Sequence, residues 1–441
     1  MTDDATDARP ATAGDIASGA GSADRDDPLL SVEDLYVRFE TSEETVHAVN
    51  GVDFTIDRNE TLGLVGESGS GKSVTALSAL GLLDDTARVE GTVDFDGEAL
   101  LEKDDDESRS LRGDRISMVF QDPGSSLNPV LAVGDQISET VRTHQPPAGE
   151  GITWFERSVL GNLVRPKDAF AKRTQSWEKT VELFERVSIP LPDQRALEYP
   201  HEFSGGMKQR ALIAMAISCQ PDLLICDEPT TALDVTIEAQ ILDLIEELQR
   251  EFGTAVLFIT HDIGVVREVC DRVSVMYAGN VVEHGPTETL FEAPKHPYTQ
   301  ALLKSVPRLD ADADLNPVAG RVPDMTSEPS GCPFAPRCPS ENDACHGGFP
   351  PSYPVDADSQ PLPVRSRDPA DESEAVTSPP PVAASPTAAE TDGHIANCVL
   401  YGDDEYLTAP RPRSEIPAEL RADESTAGDQ PGETEATRGD R

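Results

Sequence analysis

The sequence predicts an α/β fold: a phosphate-binding-loop core, a helical subdomain set into it, and a small Cys-rich C-terminal extension. Three observations carry this. Strand-like and helix-like segments alternate from residue 29 to about 306, as in a sheet with crossover helices. The octapeptide "GESGSGKS" (66–73) lies between apolar "TLGLV" (61–65) and helical "SVTALSALGLL" (73–83). Near the end, "GCPFAPRCPSENDAC" (331–345) puts three of the chain's 7 cysteines into a short Pro-rich stretch, and Cys398 follows.

Residues 1–28 are rich in Asp, Ala, Gly and Ser and are expected to be disordered. "LLSVEDLYVRF" (29–39) alternates like a strand, and "AVNGVDFTI" (48–56) reads as a second. Within about 122–200, "ISETVRTH", "WFERSVLGNLV" and "SWEKTVELFERV" have helical spacing and no clear strand, which marks the helical subdomain. From about 307 the chain turns Pro-rich and acidic. Residues 307–347 and 394–408 are assigned to the extension, and 348–393 and 409–441 to disordered segments.

Lys plus Arg is 36 against 81 Asp plus Glu, a net charge of −45. That argues against general nucleic-acid binding, which needs basic patches. The acid is spread over tails, loops and core segments alike, one way to stay soluble in strong salt, where repulsion is screened within ~3 Å at about 1 M. A salt-loving organism is the expectation. No apolar run approaches the ~20 residues of a membrane span. "MTDDATDARPATAGD" lacks the basic start and apolar stretch of a secretory signal. The expected location is the cytoplasm, peripheral to the membrane if a partner holds it there.

The octapeptide fits G-x-x-x-x-G-K-[ST] at Gly66, Glu67, Ser68, Gly69, Ser70, Gly71, Lys72 and Ser73. Glycines let backbone N–H groups curl round a phosphate chain at a helix N-terminus. Lys72 supplies a point charge to the outer phosphates, and the Ser73 hydroxyl can ligate Mg²⁺. "DLLICDEPT" (222–230) reads as a buried parallel strand that delivers two carboxylates at its end. Asp227 is placed on Mg²⁺ through water, and Glu228 on the attacking water.

Just upstream, "FSGGMKQR" (203–210) opens a helix and resembles the signature motif of ABC (ATP-binding-cassette) ATPases. "VFQD" (119–122), "TALD" (231–234) and "FITHD" (258–262) resemble that family's glutamine loop, dimer loop and switch-histidine motif, in the family's order. The resemblance covers roughly 29–306 and implies a RecA-like core with a helical subdomain. It implies that Gln121 serves catalysis and Mg²⁺, that His261 is the switch histidine, and that Phe39 stacks on adenine. It further implies that Ser204, Gly205, Gly206 and Gln209 face the ATP of the opposite protomer, with Asp234 in the dimer loop. ATP is then trapped between two cassettes, and a lone chain hydrolyses it poorly.

"DPGSSLNPVLAVGDQI" (122–137) and "HPYTQALLKSVP" (296–307) resemble the subfamily serving dipeptide, oligopeptide and nickel importers. The implied partners are two membrane permease subunits, a second ATPase subunit, identical or related, and an external substrate-binding protein. The transported class is di- or oligopeptides, nickel or oligosaccharides. The rival reading is a soluble ABC ATPase of DNA repair or translation. It is disfavoured by the single phosphate-binding loop and the lack of an inserted coiled coil.

Cys332, Cys338, Cys345 and Cys398 follow C-x5-C-x6-C-x52-C. Four thiols in a region too Pro-rich to build a core suggest a metal knot, and spacing alone does not separate zinc from iron–sulfur. The subfamily's C-terminal extension has a similar "GC-F-RC" pattern, and the resemblance implies a structural [4Fe–4S] site, with Zn²⁺, free thiols or partial disulfides as alternatives. Cys219, Cys226 and Cys270 stand in apolar or helical context and read as core.

Overall fold

The computed structural model describes residues 27–145 (except 43) and 175–305 (except 232), together with 318, 320–327, 331–346, 349–350, 352–355, 359–361 and 393–401. Residues 1–26 and 409–441 of the expected tails, and the segment "WFERSVLGNLV" expected to be helical, lie outside the described residues.

Two sheets form the core. A smaller antiparallel sheet has the order β2-β1-β4-β5, with β1 Leu30–Glu40, β2 Thr45–Ile56, β4 Ala87–Phe95 and β5 Glu98–Ala99. The larger sheet runs β11-β12-β10-β9-β3-β8-β7-β6. Its members are β3 Thr61–Val65, β6 Ile116–Val119, β7 Leu223–Asp227, β8 Ala255–Thr260, β9 Arg272–Tyr277, β10 Asn280–Pro286, β11 Tyr353–Val355 and β12 His394–Ala396. β6, β7, β8, β3 and β9 are parallel neighbours. Every residue of β3, β7 and β8 is buried. Strands covered on both faces read as continuous apolar runs, which is why "LLICD" and "AVLFIT" carry no alternation.

Between β6 and β7 the described elements are all helical: Pro123–Ser126, Val133–His144, Gln175–Arg186, Pro192–Arg195 and Gly205–Ala216, with one short 3-10 turn on either side of the last. Val133, Ile137, Trp177, Leu183, Phe184 and Ile213 bury their apolar faces in a core shared with β7 and β8. The helix after the phosphate-binding loop spans Lys72–Ala79, shorter than the expected 73–83. It stops because Gly81 takes the left-handed conformation, φ +59, directly after it.

The far end departs from expectation in two ways. Tyr353–Val355, placed within the disordered 348–393, forms strand β11 on β12. Tyr and Val favour strands, and Pro354 is tolerated because β11 is the sheet edge. The second difference is that β12 pairs with β10, His284 opposite Ile395, so the extension continues the cassette's own sheet. Glu283, fully buried, locks this join. Its carboxylate accepts the N–H groups of Lys295 (2.7 Å) and His296 (2.8 Å) and pairs with His394 Nε2 at 2.6 Å. A buried carboxylate is tolerable only with such full satisfaction. Among the described residues no helix is long and apolar enough to cross a membrane.

Candidate active site

Four adjacent parallel strands deliver their polar ends to one place. β3 leads into the loop 66–73, β7 ends at Asp227 and Glu228, β8 leads to His261, and β6 leads to Gln121. The carboxyl ends of parallel strands are where open α/β sheets bind ligands.

The loop's shape is forced by its neighbours. A Cβ on Gly66 would lie 2.1 Å from the Met276 carbonyl oxygen, and one on Gly71 would lie 2.5 Å from that of Ala48. Gly71, at φ +100, caps the helix from Lys72 without a side-chain bond, leaving first-turn N–H groups for an anion. Lys72, only 5% exposed, turns its ammonium back onto the loop, donating to the carbonyls of Gly66 (2.9 Å) and Glu67 (3.0 Å). Burial lowers its pKa, and the nearby Glu228, Asp227 and Glu67 counter that.

Ser73 Oγ donates to Asp227 Oδ1 at 3.0 Å, so two of the three expected magnesium groups are in contact. Burial raises the pKa of Asp227, the Ser73 bond lowers it, and the Glu228 charge raises it further. Glu228 collects three partners: Gln121 Nε2 at 2.7 Å, Thr231 Oγ1 at 2.8 Å and His261 Nδ1 at 3.1 Å. Burial works to raise its pKa, but the bonds from His261, Thr231 and Gln121 win, and the carboxyl is held below its ordinary value. Its backbone sits at φ +46, left-handed for a non-glycine residue, with its N–H bonded to the Ile259 carbonyl. Such strain costs about 1–3 kcal/mol and collects at functional sites. The cluster can hold a phosphate chain, a divalent cation and a water beside an ionised carboxylate.

The remaining expected residues lie apart. Ser204 caps the helix Gly205–Ala216, accepting the Met207 N–H at 3.3 Å, and is exposed with Gly205. Gly206 lies against Ile237, where a Cβ would meet Cγ2 at 2.7 Å. Asp234 caps the helix Val235–Phe252, and beside it Val235 is 80% exposed. Gln209 lies further along the helix Gly205–Ala216. It is 2% exposed because it shares the inward face of its helix with Leu212, Ile213 and Ala216. Phe39 is half-buried in β1, opposite Val46 and Ala87.

Cys332, Cys338, Cys345 and Cys398 line one pocket with His296, Phe334 and other apolar groups. The Cys332 N–H donates to the Cys345 carbonyl at 2.8 Å, pulling the two ends of the three-cysteine stretch together. Burial pushes the Cys332 thiol up to about 12, and its neighbours Cys345 and Cys338 push the same way. Burial likewise raises Cys338, Cys345 and Cys398. Backbone amides oppose it: Phe334 and Ala335 at Cys332, Ser340 at Cys338, and Leu400 at Cys398. Among the described residues no three of Cys, His, Asp and Glu lie close enough to hold a single metal ion. Cys219, Cys226 and Cys270 are buried core thiols.

Three contributors escaped the sequence reading: Thr231 on Glu228, and Arg337 and Tyr298 on Glu67. Arg337 lies 270 residues from Glu67, and no local pattern reports a contact at that separation.

The ABC transporter family pattern matches residues 49–231, and the pattern of the oligopeptide/dipeptide transporter C-terminal region matches 282–345. The oligopeptide transport ATP-binding protein OppD of Salmonella typhimurium is 45% identical over 73% of this chain and 89% of its own length. The dipeptide transport ATP-binding protein DppD of Bacillus subtilis is 47% identical over 73% of this chain and 90% of its own. A putative peptide import ATP-binding protein of Brucella ovis is 46% identical over 74% of this chain and 93% of its own. With the phosphate-binding loop, the paired carboxylates and both matched regions in one polypeptide, the chain belongs to the ATP-binding proteins of ABC transporters, in the oligopeptide/dipeptide group.

Proposed function

We propose that this chain is the ATP-hydrolysing subunit of an importer of di- or oligopeptides. It works peripherally at the cytoplasmic face of the membrane with two permease subunits, a second ATPase subunit and an external substrate-binding protein. The observation that carries the reading is the convergence of Gln121, Glu228, His261 and the Ser73–Asp227 pair on one phosphate-binding loop.

In this reading Lys72 exchanges its loop carbonyls for the outer phosphates of ATP. Ser73, Asp227 and Gln121 would hold Mg²⁺, which when bound would neutralise charge on the phosphates. Glu228 accepts a proton from the attacking water, and His261 and Thr231 hold its carboxylate in place. Adenine lies against Phe39. Ser204, Gly205 and Gly206 at their helix N-terminus, and Asp234 beside exposed Val235, meet the second subunit across the ATP. The domain boundaries are a cassette of 29–306, with helices at about 122–200, and an extension built from 307–347 and 394–408. The test is ATP turnover of the full chain in vesicles with its permeases. Turnover is expected to rise about tenfold or more when peptide-loaded binding protein is added. A chain fully active alone at high dilution, with no affinity for a permease, overturns the reading.

Cys332, Cys338, Cys345 and Cys398 are proposed to hold a [4Fe–4S] cluster. One pocket gathers all four thiols, and backbone amides at Cys332 offset part of the burial that disfavours its thiolate; Zn²⁺ at the same thiols is the alternative. When bound, the cluster would supply a four-point covalent tie, and ATP hydrolysis would draw no electrons from it. Strong salt is the proposed medium. With a charge of −45, self-repulsion is screened as KCl rises. The thermal midpoint is expected to climb by about 10 °C or more between ionic strengths of about 0.1 and 2 M; a flat profile speaks against it.

A further inference from the structure

We propose that Arg337, from the Cys-rich extension, is a positioning residue for ATP. It holds Glu67 so that the phosphate-binding loop keeps its shape and its one carboxylate is neutralised beside the phosphates. The inference builds on the ATP-site reading above and is independent of what the four cysteines bind.

The contact is a two-pronged fork. Arg337 Nη1 donates to Glu67 Oε2 at 2.9 Å, and Nη2 to Oε1 at 3.2 Å. The side chain of Arg337 is only 5% exposed and that of Glu67 24%. The guanidinium is fixed from behind as well. Nη1 also donates to the Tyr277 hydroxyl at 3.1 Å and Nη2 to the Val318 carbonyl at 2.9 Å. It lies 5.7 Å from the Tyr277 ring centre and 5.9 Å from that of Phe334. A planar fork seated this way has one orientation, which a lysine does not reproduce.

Glu67 carries that orientation into the loop. Its N–H donates to the Tyr298 hydroxyl at 3.0 Å. Its carbonyl accepts Lys72 Nζ at 3.0 Å and the Ser70 N–H at 3.1 Å. One residue therefore joins the extension, through its side chain, to the turn of the phosphate-binding loop and, before nucleotide arrives, to Lys72. Electrostatics point the same way. ATP brings several negative charges to a loop that already holds a carboxylate, in a chain of charge −45. Without Arg337, Glu67 repels the nucleotide and is left partly buried and unpaired.

A merely structural Arg337 would cost melting temperature and leave the nucleotide affinity of the folded protein alone. The experiment compares Arg337→Ala, Arg337→Lys and the double variant Arg337→Ala/Glu67→Gln in the reconstituted transporter, reading KM for ATP, kcat and the thermal midpoint. Arg337→Ala is expected to raise KM about tenfold, equivalent to about 1.4 kcal/mol, with a smaller fall in kcat. The double variant is expected to return KM to within about threefold of wild type, because the unpaired charge is gone. Arg337→Lys keeps the charge and loses the fork, and is expected to raise KM about threefold; it supplies the reading if Arg337→Ala does not fold. A wild-type KM in Arg337→Ala or in Arg337→Lys, or a raised KM that Glu67→Gln does not relieve, overturns the proposal.

Discussion

Glu228→Gln is expected to bind ATP and stop at the chemical step, with kcat lowered about 10³-fold and KM little changed. Glutamine has nearly the same shape: its carbonyl oxygen can keep the Thr231 and Gln121 bonds, which reach Oε2 at 2.8 and 2.7 Å, while its amide nitrogen takes the place of Oε1 and donates to His261 Nδ1 in the tautomer that accepts there. Only the capacity to take a proton is lost, and a positioned general base contributes about 10²–10⁴ in rate. The native carboxyl is suited to that task. Its partners outweigh burial and hold its pKa below the ordinary glutamate value, so the base form is present throughout the neutral range. The acid limb of kcat should accordingly lie below the usual carboxylate range. Trapped ATP should also hold two cassettes together, so the variant is expected to elute as a dimer with ATP and Mg²⁺ and a monomer without. Undiminished turnover removes Glu228 from the role; a variant that turns over slowly but stays monomeric with ATP removes the closed dimer.

The site was legible where chemistry demands particular residues in a short span. The loop 66–73 needs glycine where a Cβ would strike the Met276 and Ala48 carbonyls, so its pattern survives in one dimension. "LLICDE" likewise announces a covered strand with acids at its end, because its five strand residues are all buried. What local pattern does not carry is contact at long range. Glu67 is read as one member of the phosphate-binding loop and Arg337 is not singled out, and only the fold joins them. Gln209 is a different case. A polar residue near an exposed helix start is expected outside, yet the helical period turns it inward. β11 was missed because three strand residues around a proline carry too little pattern to stand out from an acidic, Pro-rich surrounding.

Cys398→Ser is expected to strip the proposed cluster, with loss of iron, loss of the broad visible absorbance and a large fall in stability of the C-terminal region. Cys398 follows β12, whose register with β10 is only Glu283–Ala396 and His284–Ile395. That short register, the edge strand β11, the Glu283–His394 contact and the two Asn397 bonds to Val281 and Val282 hold a strand that returns from a gap of 52 residues after Cys345. A covalent tie at Cys398 closes that long excursion, and closing long loops is where a cross-link removes most chain entropy. By analogy with a disulfide, about 3 kcal/mol rides on the tie. At about 2–4 °C per kcal/mol the thermal midpoint of anaerobic full-length protein should fall by about 10 °C. Serine is the informative replacement because it keeps nearly the same volume in the apolar pocket and removes the thiolate. Wild-type protein carrying zinc and no iron rejects the cluster, and a Cys398→Ser protein that keeps its full iron rejects Cys398 as a ligand. A variant that loses iron yet melts with the wild type removes the structural role and leaves the cluster without the function assigned to it.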